Sequence, residues 1–176
     1  GTLTINSGAE IITTSGGPIF LNFIDASMII DGKLTINNTA YNQGTVTVNG
    51  ELESHHIYIN FDTFVNNGKV TAQGNQYSNS GVFTNNGEFV CLTTMSSQDV
   101  FNQFGIYSGN EDFNLDDFVN QGTVAPGTDD DEIGLLTFNV AYIENGTYSV
   151  DIAGDAGEGV SGGNDLIDVN SSTTTI

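Results

Sequence analysis

The sequence has no arginine, only two lysines (Lys33 and Lys69), a single cysteine and no long hydrophobic run. Each shortage excludes something. Against the two basic residues stand 22 acidic ones, a formal net charge of −20. Nucleic acid and anionic membrane surfaces both require a basic patch, so both are excluded as partners. A charge of this size suits solubility in salty surroundings or neutralisation by Ca²⁺, and a solvated acidic surface is the simpler reading. One cysteine cannot form a disulfide within the chain. Cys91 lies in the apolar run Glu88-Phe89-Val90-Cys91-Leu92, where a small buried hydrophobe is expected rather than a nucleophile. No run approaches the ~18 apolar residues of a membrane span, and no signal peptide is visible. The chain opens at Gly1 directly into a strand-like run, as expected of a single segment, residues 1–176, cut from a longer polypeptide.

What is present is enough for one folded domain: 176 residues, 38% of them hydrophobic, with 11 Phe and 6 Tyr, more than a disordered chain would carry. Short alternating runs are separated by Gly with Asn or Asp. Early strand candidates are Leu3–Asn6, Glu10–Thr14, Ile19–Ile24, Met28–Ile30 and Lys33–Asn37. They are divided at Gly8, Gly16-Gly17-Pro18 and Asp31-Gly32, residues that tolerate the backbone angles of tight turns. Asn42-Gln43-Gly44-Thr45-Val46 and Asn66-Asn67-Gly68-Lys69-Val70 align glycine to glycine 24 residues apart, as do Gly122 and Gly146. A recurring Asn-x-Gly-x-apolar unit predicts an all-β solenoid, in which stacked units bury an apolar face that one unit cannot bury alone. An antiparallel β-sandwich also has turns every 8–12 residues and is the alternative. Equivalent asparagines in successive coils would form side-chain amide ladders; otherwise Asn serves only as a turn residue. Residues 94–117 lack clean alternation and are read as an excursion loop, with Phe101, Phe104, Tyr107 and Phe113 either padding the core or lining a binding surface.

Candidate chemistry is sparse. Asp116-Asp117 and Asp129–Glu132 supply paired carboxylates, so a polysaccharide-active β-helix enzyme is the alternative function. Adjacent strand residues point to opposite faces, however, and a lyase acting on anionic sugar would need basic groups to stabilise the anion formed. His55-His56 alternate in the same way and would not chelate one metal. Calcium is the most credible ion. Asp129, Asp131 and Asp165 lead the candidate ligands, with Asp130, Glu132, Asp155 and Glu158 as further hard oxygen donors. Gly162-Gly163-Asn164-Asp165-Leu166 is similar to a calcium nonapeptide but lacks its third glycine and does not repeat, and a solvated acidic loop competes with it. Thr2-Leu3-Thr4 and Thr45-Val46-Thr47 raise an ice-binding solenoid, ranked low because Thr-x-Thr is not sustained along the chain.

Phe118–Val169 resembles the β-strand repeat of bacterial autotransporter passengers and filamentous-haemagglutinin-like surface adhesins. The matching positions are Asn120, Gly122, Thr123, Val124, Pro126 and Gly127, then Gly134, Leu136, Thr137 and Phe138. Gly146, Tyr148, Val150 and Ile152 continue the pattern, and Asp165, Ile167 and Val169 close it. The acidic loop Asp129–Glu132 exceeds the usual short linker, and the first two-thirds of the chain match only in style. The resemblance implies a right-handed parallel β-helix within a large exported adhesin or stalk, extracellular or on the bacterial cell surface and without enzymatic activity. Its partners would be a host-cell, carbohydrate or matrix surface, or neighbouring copies of itself.

Overall fold

In a computed structural model of the chain, the structure describes residues 1–16, 20–74, 76–93, 95–97, 101–109, 112–114, 117–127, 133–138, 141–149, 165–169 and 174–175. The repeating unit is a six-residue step. Thr45–Val48, Glu51–Ser54 and Ile57–Asn60 are consecutive strands, followed by Thr63–Asn66, Lys69–Ala72 and Gln76–Asn79. Two or three residues separate each strand from the next. In Thr45–Val48 and its neighbours the second and fourth residues are buried and the first and third are not. This is the period-two alternation of a strand with one wet face. Polar corner residues then turn the chain toward the next side.

Three such sides close one coil, and each strand pairs with the strand one coil away. The described residues contain 25 strands and no helix. The strands form three sheets of nine, eight and eight, called here sheets 1, 2 and 3 in the order the chain visits them. Every strand pairing is parallel, as in Ser27–Ile30 with Thr45–Val48, Lys33–Ile36 with Glu51–Ser54 and Ala40–Asn42 with Ile57–Asn60. The fold is therefore a parallel β-solenoid. The sandwich alternative fails because adjacent strands are never consecutive in sequence. Among the described residues the one antiparallel contact is an isolated bridge between Gly109 and Gly127.

Register stacks like on like. Leu34 lies beside Leu52, Leu52 beside Val70, Val70 beside Phe89 and Phe89 beside Tyr107. All five are essentially fully buried. Phe64 stacks face to face on Phe83 (centroids 4.7 Å, interplanar angle 6°) and Phe89 on Tyr107 (5.6 Å, 21°), offering ring contact beyond the area buried. One core thus runs the length of the coils.

Two expectations need correction. Partners in successive coils are 18 residues apart in sequence at Asn42 and Asn60, so the 24-residue alignment of Gly44 with Gly68 joins different corners. Gly44 turns the chain from sheet 3 to sheet 1, and Gly68 from sheet 1 to sheet 2. Asn-x-Gly marks both corners, and this made them look equivalent. Gly122 and Gly146 are true equivalents, because a Cβ on Gly146 would strike the Gly122 carbonyl. The added length of that coil falls between Gly127 and Gly134. Residues 94–117 are also not an excursion in their described parts. Met95–Ser97, Phe101–Gln103, Ile106–Gly109 and Asp112–Asn114 continue the three sheets in order. Tyr107 is a core residue, while Phe104 is 46% exposed at a corner.

Candidate functional site

Two corners carry internal amide ladders. At the corner between sheets 3 and 1, Asn22 Nδ2 donates to Asn42 Oδ1 (2.8 Å), Asn42 to Asn60 (2.7 Å) and Asn60 to Asn79 (2.7 Å). At the corner between sheets 1 and 2, Asn66 donates to Asn85 (2.7 Å) and Asn85 to Gln103 Oε1 (2.8 Å). These side chains are buried, and the same amides also cap corner carbonyls, as Asn66 does for Glu88 (2.8 Å). A third ladder lies outside: Asn49 donates to Asp31 (2.8 Å), Asn67 to Asn49 (3.0 Å) and Asn86 to Asn67 (2.9 Å). The expected asparagine stacking is present, and it lies chiefly inside. Buried amides need partners, and a neighbouring coil supplies them only in the correct register.

Glycine follows from the same stacking. Gly32, Gly50, Gly68, Gly87, Gly105 and Gly122 form a column in which a Cβ on one would collide with the carbonyl of the glycine or turn one coil before. Close backbone approach, not an unusual φ, requires glycine there.

The outer faces differ from one another. Sheet 2 holds both lysines. Lys33 lies between Glu10 and Glu51 in register, and Lys69 between Glu51 and Glu88. Lys33 Nζ is 3.0 Å from Glu53 and 3.5 Å from Glu51, and Lys69 Nζ is 2.8 Å from Glu88. The hydrogen bond to Glu53 raises the Lys33 pKa above its ordinary value, and the same bond lowers that of Glu53. Sheet 3 is more apolar, with Tyr41 stacked beside Phe61 (6.1 Å) and Leu21 exposed near Phe23 and Ile24. A shallow groove at the first coil is lined by Leu3, Leu21, Phe23, Ile24 and Met28.

Of the residues singled out from sequence, those that are described, Asp117, Asp165, His55, His56 and Cys91, lie at separate places in the coils. Asp129 and Asp131 lie outside the described residues, as do Asp116, Asp130, Glu132, Asp155 and Glu158. Asp165 is 3% exposed, and its Oδ1 accepts the Gly134 N–H at 2.8 Å. It joins the strand Leu166–Val169 to the start of Leu135–Phe138. Asp117 opens the strand Asp117–Asn120, in register with Ala141. His55 and His56 occupy a corner between sheets 2 and 3. His55 lies 3.6 Å from Glu53, and His56 Nδ1 lies 3.3 Å from the Thr39 hydroxyl. Cys91 is fully buried, and its thiol donates to the Thr93 carbonyl (2.8 Å). Burial pushes the Tyr58 and Tyr107 phenols far above their ordinary pKa, so both stay neutral. Among the described residues no three His, Cys, Asp or Glu side chains gather to hold a metal.

These features define a class, the parallel β-solenoids with three-sided coils and internal amide ladders. No family model, no curated protein and no solved structure matches the chain.

Proposed function

We propose that the chain is a non-enzymatic structural and adhesive segment of a large bacterial cell-surface or secreted protein, acting as a stiff spacer that presents its outer faces. The observation that carries this reading is the continuity of the core and amide ladders from coil to coil. Such a stack bends only by breaking buried contacts between neighbours. At ~4.8 Å per strand, the nine stacked strands of sheet 1 span roughly 40 Å. The sequence resemblance of Phe118–Val169 to autotransporter passengers and haemagglutinin-like adhesins supports an extracellular or cell-surface location. Carbohydrate, matrix or host-cell surfaces, and neighbouring copies, are the partners this reading calls for.

Two measurements test it together. Small-angle scattering of the purified chain should give the pair-distance profile of a rod, and immobilised glycans and matrix proteins should retain the chain without being cleaved. A compact spherical profile would end the spacer reading. Reducing-end release from a polysaccharide, abolished by Asp117→Asn, would replace it with the polysaccharide-active enzyme.

A further inference from the structure

On sheet 1, stacking brings together residues that are scattered in the sequence. One outward column reads Thr2, Ser27, Thr45, Thr63 and Val82, and the column beside it Thr4, Ile29, Thr47, Val65 and Thr84. All ten side chains are exposed or half-buried. Seven carry a hydroxyl, the other three (Ile29, Val65 and Val82) are β-branched aliphatics, and none is charged. Over the same five coils the outward columns of sheet 2 carry six charged residues: Glu10, Lys33, Glu51, Glu53, Lys69 and Glu88. The outward positions of sheet 3 include Leu21, Tyr41, Ile57 and Ile59. The hydroxyl-bearing face is thus distinct from the other two. In the second column threonine alternates with Ile29 and Val65 from coil to coil, and in the first Ser27 and Val82 interrupt it, which hides the array from a search for Thr-x-Thr in the sequence.

The grid has dimensions. Neighbouring strands lie ~4.8 Å apart, and residues two apart on a strand lie roughly 6.6 Å apart. Oxygen positions on the faces of an ice crystal repeat on this scale in two directions. β-Branched side chains are stiff at χ1, so hydroxyls and methyls hold their places before anything binds, and little ordering entropy is lost on contact. The Thr63 hydroxyl donates to the Asp62 carboxylate at 3.2 Å, and a hydroxyl that donates elsewhere can still accept from a water through its oxygen, which the methyls beside it confine. We propose that this face of sheet 1 binds ice, through a layer of water ordered on the two threonine-rich columns. A second copy of the chain suits the face less well. Two chains of net charge −20 repel, and a hydroxyl-lined surface offers little apolar area to offset that. The inference is independent of the spacer reading.

The test uses the whole chain, Thr47→Lys in the middle of the face and Thr71→Lys, which makes the same change on the outer side of sheet 2. All three are first checked for matching circular dichroism and melting temperature. The parent chain and Thr71→Lys should inhibit ice recrystallisation and produce thermal hysteresis, and Thr47→Lys should lose both. A parent chain no better than an inert protein of similar size would overturn the proposal. Equal loss in both variants would also overturn it. So would concentration-dependent dimerisation, abolished by Thr47→Lys, in a chain without effect on ice; the face would then be an interface between copies.

Discussion

Replacing Asn60 by leucine, an apolar side chain with the same branching of heavy atoms, tests whether the internal ladder holds the coils in register. Asn60 is fully buried. Its Oδ1 accepts from Asn42 at 2.7 Å, and its Nδ2 donates to Asn79 Oδ1 at 2.7 Å and to the Asp62 carbonyl at 2.8 Å. Leucine removes these three bonds, and with them a long contact from Nδ2 to the Val82 carbonyl (3.5 Å), and fills the space with carbon. The Asn42 amide keeps the Thr63 carbonyl (3.0 Å), and Asn79 Oδ1 keeps the Gly81 N–H at 3.4 Å, so the loss is that of three bonds rather than complete isolation of the partners. At roughly 1 kcal/mol for each buried neutral hydrogen bond, the cost is about 3 kcal/mol. For a chain of this length that corresponds to a fall of roughly 6–12 °C in melting temperature. Asn67→Leu is the control. Asn67 makes the same kind of ladder bonds on the exposed corner, where water replaces them, and its cost should stay within about 0.5 kcal/mol. Urea titration followed by circular dichroism reads both variants, with equal m-values required so that midpoints compare. An Asn60→Leu variant within about 1 kcal/mol of Asn67→Leu would refute the claim that buried amides set the register, leaving apolar stacking to do it alone.

Three other outcomes follow from the geometry. Gly68→Ala places a methyl against the Gly50 carbonyl and should cost about 3 kcal/mol, the upper range for overpacking; a melting temperature equal to the parent's would show that the coils separate easily. The Glu53 pKa is lowered from 4.5 and that of Lys33 raised from 10.5. The pair's contribution is therefore present between those values, lost as pH falls below 4.5 through the folded Glu53 pKa, and lost as pH rises above 10.5 through that of Lys33. The melting-temperature gap between the parent and Glu53→Gln should close as pH falls below about 4.5, and a gap that persists unchanged well below that pH would contradict the pairing. Asp165→Asn keeps an oxygen for the Gly134 N–H and should be tolerated, whereas Asp165→Ala should cost about 1–3 kcal/mol. Equal losses in the two variants, with a melting temperature that falls on adding a chelator, would move Asp165 from a structural bond to calcium.

Strand identity was legible because each strand alternates apolar and polar residues, as in Thr45-Val46-Thr47-Val48, and because Gly and Asn close each corner. The asparagine ladder was also legible as an idea, since Asn precedes Gly so often. The length of a coil was not. Asn42-Gln43-Gly44 and Asn66-Asn67-Gly68 belong to different ladders, and nothing local tells one corner from another. Residues 94–117 read as irregular because Gln103 takes the ladder place that asparagine holds in Asn66, Asn85 and Asn120. In Gln103-Phe104-Gly105 the amide is one methylene longer and the outward corner residue is aromatic, so the familiar signature is lost while the hydrogen bonding survives. Asp165 is a candidate metal ligand by composition, while its bond to Gly134, 31 residues earlier in the chain, is visible only once the coil has closed.

Composition and local pattern sufficed for an all-β chain of short strands with glycine and asparagine corners and a strongly acidic balance of charge. Those properties depend on sterics and charge within a few residues. Which side chains share a column depends on stacking across about 18 residues, and register is chosen by the whole coil at once. The charged face of sheet 2, the threonine-rich face of sheet 1 and the buried amide ladders exist only because that choice places like residues one above another.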